Sequence, residues 1–519
     1  MTRMIDDERT QLGTLKAMGL RSEEIVVKYL VYAFIASFTG AIAGSMLGFA
    51  LFPTLLAACF SILFDMPPII ISYHFGYAAV GITISVGVTV LASYLSVRQS
   101  LKTHPSILMK PKAPKGGKRI ILERWPELWS RLSFTTKVTC RNVFRNKKRF
   151  IMAVIGVLGC TSLLVAAFGL DNSINSTLER QFTNKDSIWH YDMQTVLNGS
   201  FDTEITECEA IEIIRSRPEI KSAMLQFMKV HDTTSSKSKK EMETYILVSE
   251  DKEQLREYIR LKDAKRGSEL SLPDSGAIIT EKLADELKLS VGDSITVKIS
   301  ELYSVDVPVA GIAENYAFHY VYMNKDVYKA LFSTNPKYNY ISANFAFEMT
   351  PEQKSTMATE LMNEYEINAV SYADEIQSMF ENTLDSLSYI VIVLIVCAGL
   401  LCLIVLYNLS VININERVKE IATIKVLGFD NFEVSQYIFR ENLLLSIIGT
   451  FIGLFTGLGV HRLVILVGEI DIVMYGKEAG FLSFIYAALL SMGFSLLVNL
   501  ILRRTLKNVD MVESLKSNE

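Results

Sequence analysis

The side chains that could do chemistry in this chain are few and scattered. Gly116-Gly117-Lys118 comes nearest to a phosphate-binding loop. It lacks the first glycine of G-x-x-x-x-G-K-[ST] and the closing hydroxyl, so a phosphate would lose part of its backbone cradle and Mg²⁺ a ligand. The six histidines include no H-E-x-x-H pair for zinc, and the cysteines have no metal-ligand spacing. No G-x-S-x-G turn presents a serine nucleophile. These residues predict no catalytic, cofactor-binding or metal-binding site and no means of hydrolysing ATP. A membrane-bound enzyme is the disfavoured alternative.

What the chain carries instead is a mechanical part written twice. Glu416–Gly428 reads ERVKEIATIKVLG, followed by a polar linker and an apolar segment with Gly449, Gly453 and Gly457; Asp7–Gly19 reads DERTQLGTLKAMG, followed by a similar linker and an apolar segment with Gly40, Gly44 and Gly48. Laid over one another, Lys16 meets Lys425, Gly19 meets Gly428, and Tyr77-Ala78-Ala79 meets Tyr486-Ala487-Ala488 without a gap. Such a match indicates an internal duplication. Each copy predicts a short amphipathic helix, with Leu12, Leu15 and Met18 or Ile421, Ile424 and Leu427 as its stripe. Glu8, Arg9, Glu416, Arg417, Lys419 and Glu420 are left for water or a protein partner. Gly19 and Gly428 are placed to end the helix in a left-handed turn, and Asp430 and Glu433 have capping-box spacing for the next one. The two glycine triplets each put small residues on one face, where another helix can approach closely.

The elements around these parts are membrane spans. Half of the residues are hydrophobic and the mean hydropathy is +0.27, with the apolar residues gathered into runs long enough to cross a bilayer. Spans are predicted at 25–52, 76–97, 150–170, 387–412, 437–458 and 481–502, with an outer loop at 467–480 between the last two. The stretch 55–73, broken by Asp65 and Pro67-Pro68, reads as re-entrant or interfacial. Residues 98–149 hold fifteen Lys and Arg against two Glu, which puts this loop in the cytoplasm. Within it Trp125, Leu128, Trp129 and Leu132 form an amphipathic helix, lying either in the headgroup layer or on the ends of the spans. Net charge is −4, which gives nucleic acid no electrostatic footing, and the six cysteines form no disulfide pattern.

Residues 171–386 are polar and fall outside the membrane by this count. Ala277–Ile279 reads as a strand, Glu281–Leu289 as a helix, Val291–Asp293 as a turn, and 294–299 and 305–312 as strands. Thr233–Lys240 reads as an exposed loop. Tyr320, Tyr322, Tyr328, Tyr338 and Tyr340 are either core and edge residues or a contact surface. The expected fold is an α-helical polytopic membrane protein of about six transmembrane helices with one α+β extracytoplasmic domain. Its parts are a first repeat at 1–110 (short helix 7–19), a basic linker at 111–149, a span at 150–170, the outer domain at 171–386, and a second repeat at 387–519 (short helix 416–428).

EIATIKVLGFDNFEVSQYIFRENLLLSIIGTFIGLFTG resembles the permease domain of ABC transporters of the FtsX/MacB/LolC-E class, including an acid, Glu441, early in the membrane helix. The first copy resembles the variant seen in large two-domain permeases and has Tyr32 where the second has Glu441. FTTKVTCRNVFRNKKRF resembles the opening of the second half of these permeases, and GAIITEKLADELKLSVGDSITV with VDVPVAGIAENY resembles their extracytoplasmic core domain. The resemblance implies that the short helices, with the charges Glu8, Arg9, Lys16, Glu416, Arg417, Lys419, Glu420 and Lys425, are coupling helices docking on a separate ABC ATPase subunit, which would hold the ATP and Mg²⁺. It implies movement of the outer domain to export or extract a lipid, lipoprotein or peptide. Control of a cell-wall hydrolase and peptide-antibiotic sensing are the alternatives. Implied partners are membrane lipids and an extracytoplasmic adaptor or hydrolase. A full repeat of the family has four spans with an outer domain between the first two. The first half here begins at its coupling helix, so a missing N-terminal permease half is also expected.

Overall fold

The computed structural model describes residues 8–63, 75–102, 104–108, 147–183, 186–197, 207–364, 367–416, 418–469 and 471–507, with a few isolated positions between them. The chain divides into two compact units, Met1–Lys137 and Val138–Glu519.

The first unit holds α1 (Arg9–Ala17), α2 (Ser22–Leu63) and α3 (Phe75–Leu101). Leu12, Ile25, Val26, Tyr29, Val97 and Leu101 form its buried cluster, which seats the short helix on the ends of the two long ones. The stretch long and apolar enough to span ends at Thr54, beside Pro53, but the helix itself does not end there. It runs through Pro53 to Leu63, so the first part of the stretch read as re-entrant or interfacial is helical. A proline cannot donate to the carbonyl four residues before it, here Phe49 O, a loss membrane helices tolerate; beside it Thr54 Oγ1 donates to the neighbouring carbonyls Ala50 O (2.7 Å) and Leu51 O (2.8 Å). Residues 64–71 and the tryptophan helix around 125–129 lie outside the described residues.

The second unit begins with α4 (Lys147–Leu178), which closes in one π-helical turn at Glu179–Thr183. The outer domain follows: β1 (Met193–Leu197), α5 (Glu207–Arg215), β2 (Ile220–Ser235), β3 (Ser238–Ser249), β4 (Ala277–Thr280), α6 (Glu281–Leu287), β5 (Ser294–Ser300), β6 (Tyr303–Ala313), β7 (Tyr320–Asn324), α7 (Lys325–Phe332), β8 (Tyr340–Phe345), α8 (Pro351–Glu364) and β9 (Ile367–Tyr372). The strands lie in the order β3-β7-β4-β6-β5-β2-β8-β1-β9, and β2 also pairs β3. Six strands thereby close on themselves around Ile279, Leu283, Val297, Val307 and Val321, while β2, β8, β1 and β9 carry α5 and α8 over a second core. Thr233–Lys240 is a hairpin rather than a loose loop. Two of its hydroxyls are buried and bonded: Thr233 shares a 2.8 Å hydrogen bond with Thr244, and Ser235 donates to Leu287 O at 2.6 Å. Tyr320 and Tyr322 are fully packed in an aromatic core with Trp189 and Tyr191, and Tyr328, Tyr338 and Tyr340 lie partly buried at core margins.

The chain returns along α9 (Ala373–Glu416), then α10 (Val418–Val426), α11 (Asn431–Gly468) and α12 (Phe481–Lys507). Helix α9 starts fourteen residues before the predicted span. Its 44 residues extend about 66 Å, twice the hydrocarbon thickness, so its first part stands outside the membrane as a stalk. Six helices are long and apolar enough to span: Ser22–Thr54, Phe75–Gln99, Phe150–Thr183, Val391–Ile412, Phe432–Gly468 and Phe481–Arg503. The protein is a multi-pass membrane protein with an extracytoplasmic domain.

Candidate functional site

The two short helices are the same object twice. Arg9 and Val418 begin them and Ala17 and Val426 end them, each pair 409 positions apart. Both chains then turn at a glycine in the left-handed region, Gly19 at φ 94° and Gly428 at φ 93°. Each turn is closed by two backbone bonds: Gly19 N–H to Lys16 O (3.2 Å) and Leu20 N–H to Leu15 O (3.3 Å), or Gly428 N–H to Lys425 O (3.0 Å) and Phe429 N–H to Ile424 O (3.4 Å). The next helix starts with the same device in both copies. Arg21 N–H donates to Glu24 Oε2 (3.1 Å), and Asp430 N–H donates to Glu433 Oε2 (3.2 Å).

The predicted stripe is only two-thirds core. Leu12 and Ile421 are buried and Leu15 and Ile424 half-buried, but Met18 is 68 % and Leu427 72 % exposed. The helix ends one residue before them, so they stand past the packed turns of the stripe, just ahead of the glycine. Two of the predicted partner-facing charges are used internally. Glu8 accepts from Tyr29 Oη at 2.6 Å and pairs with Lys28 at 3.6 Å, which holds its carboxyl below the usual range. Lys16 Nζ donates to Leu101 O at 2.6 Å, capping α3, and Lys425 is half-buried at the same place in the second copy. Arg417 and the side chains of Arg9, Glu416, Lys419 and Glu420 lie outside the described residues.

The glycine triplets part company. A Cβ on Gly449, Gly453 or Gly457 would lie 2.6–2.7 Å from the Cβ of Val157, Thr161 or Val165 in turn, so α11 and α4 pack as closely as backbones allow. Around Gly40, Gly44 and Gly48 the same test meets no described atom within 4 Å. The second bundle is also keyed elsewhere by small against large: Gly156 against Val405, Gly399 against Phe494, and Gly169 against His461. Between α11 and α12 run three polar rungs, one per turn. Asn442 Nδ2 donates to Asn499 Oδ1 (3.3 Å) and Ser410 Oγ (2.9 Å), Ser446 meets Ser495 (2.7 Å), and Thr450 meets Ser491 (3.0 Å), which also meets Thr161 (2.9 Å). The equivalent first-copy positions are Ala33, Ser37, Ala41, Ile82, Val86 and Val90, so that seam is almost wholly apolar. Glu441, beside the first rung, is 2 % exposed, whereas Tyr32 in its place is 57 % exposed.

At the outer end, sequence reasoning missed the main feature. The loop predicted at 467–480 is a strap laid onto the outer domain. Met474 N–H donates to Tyr316 O (2.9 Å), Phe318 N–H to Ile472 O (2.8 Å), and Ala317 and Val473 form an antiparallel bridge. Phe318 sits at φ 60°, uncommon for an aromatic residue and tolerable here because its amide is taken by the strap. The π turn at the end of α4 grips the same segment: Gln181 Oε1 accepts from Tyr316 N–H (3.0 Å), and Arg180 Nη1 donates to Tyr316 Oη (2.9 Å). From α6, the buried Lys282 donates to Val473 O (2.6 Å), and Glu281 and Asp285 pair with Lys477 (3.0 and 3.3 Å). Burial pushes the Lys282 ammonium below its ordinary value, against the pull of Glu469 3.9 Å away. The available signal was Lys477 in the short segment between two spans, opposite the i, i+4 acids Glu281 and Asp285 of a predicted helix.

Lys282→Met is expected to loosen the strap by about 1.5–3 kcal/mol, the worth of a hydrogen bond to a charged group. Hydrogen exchange at the amides of Phe318 and Met474 should rise by about tenfold or more; unchanged exchange would show that Lys282 does not hold the strap.

Residues 1–105 and 392–510 match the model of the FtsX-like permease C-terminal family, and residues 150–365 that of the MacB-like periplasmic core domain. Among solved structures, the periplasmic region of MacB from Actinobacillus actinomycetemcomitans is similar at 10 % identity, with a TM-score of 0.26 over 38 % of this chain and 94 % of that one. The extracellular domain of the noncanonic ABC-type transporter YknZ from Gram-positive bacteria is similar at 16 % identity, with a TM-score of 0.23 over 35 % of this chain and 98 % of that one. A search of the curated proteins found no match to the chain.

Proposed function

The chain belongs to the FtsX/MacB-like family of ABC transporter permeases, and from that premise we propose that it relays ATP-driven movement of a separate ATPase subunit to its outer domain, for export or extraction of a lipid, lipoprotein or peptide. The observation that carries this reading is the pair of equivalent cytoplasmic turns, each exposing an apolar tip: Met18 and Leu20 in one, Val426, Leu427 and Phe429 in the other. Exposed apolar groups outside the spans, repeated at matched positions, suit docking on a protein. From the second tip the path runs through α11, held to α4 without a gap, to the strap and the outer domain. Glu441, buried at the cytoplasmic end of that path, would act by fixing the rung beside it rather than by meeting substrate.

The open face of Gly40, Gly44 and Gly48 adds a partner to the proposal. In the second copy that face is filled by a helix presenting Val157, Thr161 and Val165 at four-residue spacing. A transmembrane helix of the same pattern would fill the first, whichever polypeptide supplies it.

The test is complex formation with an ABC ATPase encoded beside this gene. Leu427→Asp should weaken binding about thirtyfold, the loss of about 2 kcal/mol expected of an interface anchor. Equal binding by wild type and variant would reject the docking assignment. If the complex forms but ATPase activity answers to a bound cell-wall hydrolase and to no lipid or peptide, the hydrolase-control reading replaces transport.

A further inference from the structure

The strap junction contains a histidine that the relay does not need. His319 follows the left-handed Phe318 and is 5 % exposed. Its Nε2 lies 2.8 Å from Asp471 O on the strap. A carbonyl can only accept, so Nε2 carries the hydrogen and Nδ1 holds the lone pair of the neutral ring. Nδ1 is buried and has no partner among the described residues. The charged groups facing the ring are Lys282 and Glu286 of α6 and Asp471 of the strap. Lys240 of β3 sits between the two carboxylates, 2.9 Å from Glu286 and 2.8 Å from Asp471, and draws on both.

We propose that His319 makes the strap junction a proton-operated latch, closed when the ring is neutral and loosened when it is protonated. A second proton would place an N–H in a buried spot with no acceptor and a positive charge beside Lys282. Opening the junction relieves both, because Nδ1–H then reaches water. The physiological consequence is that acid outside the membrane slackens the link between α11 and the outer domain. That consequence rests on the relay reading; the latch itself does not.

Burial, reinforced by the Lys282 ammonium, holds the closed-state imidazole below its ordinary value of 6.5, against the Asp471 carbonyl and the two carboxylates. In the opened junction the ring titrates near its ordinary value. Closure is therefore fully favoured above about pH 6.5. It weakens as pH falls through that value towards the closed-state one, by up to about tenfold in the closing constant per pH unit.

The experiment is hydrogen exchange of the full chain in lipid nanodiscs from pH 8 to pH 5, corrected for intrinsic exchange and read at the amides of Phe318 and Met474. Wild type should lose protection by several-fold between pH 7 and pH 5.5. His319→Gln, whose amide can still donate to Asp471 O but does not titrate, should show no such loss. Lys282→Met, although looser at every pH, should show a smaller acid loss because the repelling charge is gone. Protection independent of pH in wild type, or the same acid loss in wild type and both variants, would overturn the latch. No ATPase or substrate enters the readout, so its failure and failure of the relay reading are distinguishable.

Discussion

Gly428→Pro is expected to uncouple ATPase from the outer domain while leaving the chain inserted and folded. Gly428 stands at φ 93° and proline is fixed near −65°, so the turn cannot form as it is. The substitution also removes the N–H that bonds Lys425 O at 3.0 Å and biases Leu427, the exposed tip, away from its helical conformation. Three kcal/mol or so of local disruption is enough to misplace the docking tip at nearly all times. ATPase stimulation by the permease and transport should both fall at least about tenfold. Gly428→Ala separates geometry from packing. No described atom lies within 4 Å of its Cβ, so among the described residues it meets only the left-handed strain, about 1–2 kcal/mol, and should retain part of the coupling. Wild-type stimulation in the proline variant would remove the second turn from the relay. Reversing charge at Glu416 and Glu420 is a gentler form of the same test, with the same expected direction.

The second large effect is a contrast between equivalent positions. Gly453→Leu should destabilise the second bundle by about 3 kcal/mol, because its Cβ alone would lie 2.7 Å from Thr161 Cβ and 3.1 Å from Leu158 O. Backbone cannot yield there without separating α11 from α4 and straining the rungs on its other side. Gly44→Leu, at the matching place, should leave thermal unfolding of the purified chain unchanged, since that face meets no described neighbour. In cells the same Gly44→Leu should reduce activity if a further helix covers the face. Equal destabilisation by the two variants in the purified chain would show that the first triplet is already filled. The experiment needs only unfolding in detergent, followed by an activity assay in membranes.

Rigidity suits the second copy to the relay proposed for it. Gly156 against Val405, Gly399 against Phe494 and Gly169 against His461 each let two helices meet in one register only, because a slide of one turn would set large against large. Such a bundle passes a displacement along its length. Each polar rung adds little energy, about 0.6 kcal/mol on average between membrane helices, but the three together fix the rotation of α11 against α12.

The sequence alone determined the duplication, the six spans, the two short helices ending at Gly19 and Gly428, and the strands and helix from Ala277 to Ala313. These rest on local chemistry: apolar runs of bilayer length, the left-handed turn that only glycine takes cheaply, and alternation along strands. What remained illegible was decided by contacts between distant residues. The two glycine triplets read identically, yet one is sealed by Val157, Thr161 and Val165 and the other meets no neighbour among the described residues. Glu8 and Lys16 read as partner-facing charges but are spent on Tyr29 and Leu101 of their own unit. Residues 467–480 read as a loop, since nothing local says that Val473 will bridge Ala317 or that Lys282, 191 positions away, will donate to it. Hydrophobic and turn signals are short-range and additive along the chain. The joint between membrane and outer domain is a set of pairings across the fold, and only the folded chain brings its two sides together.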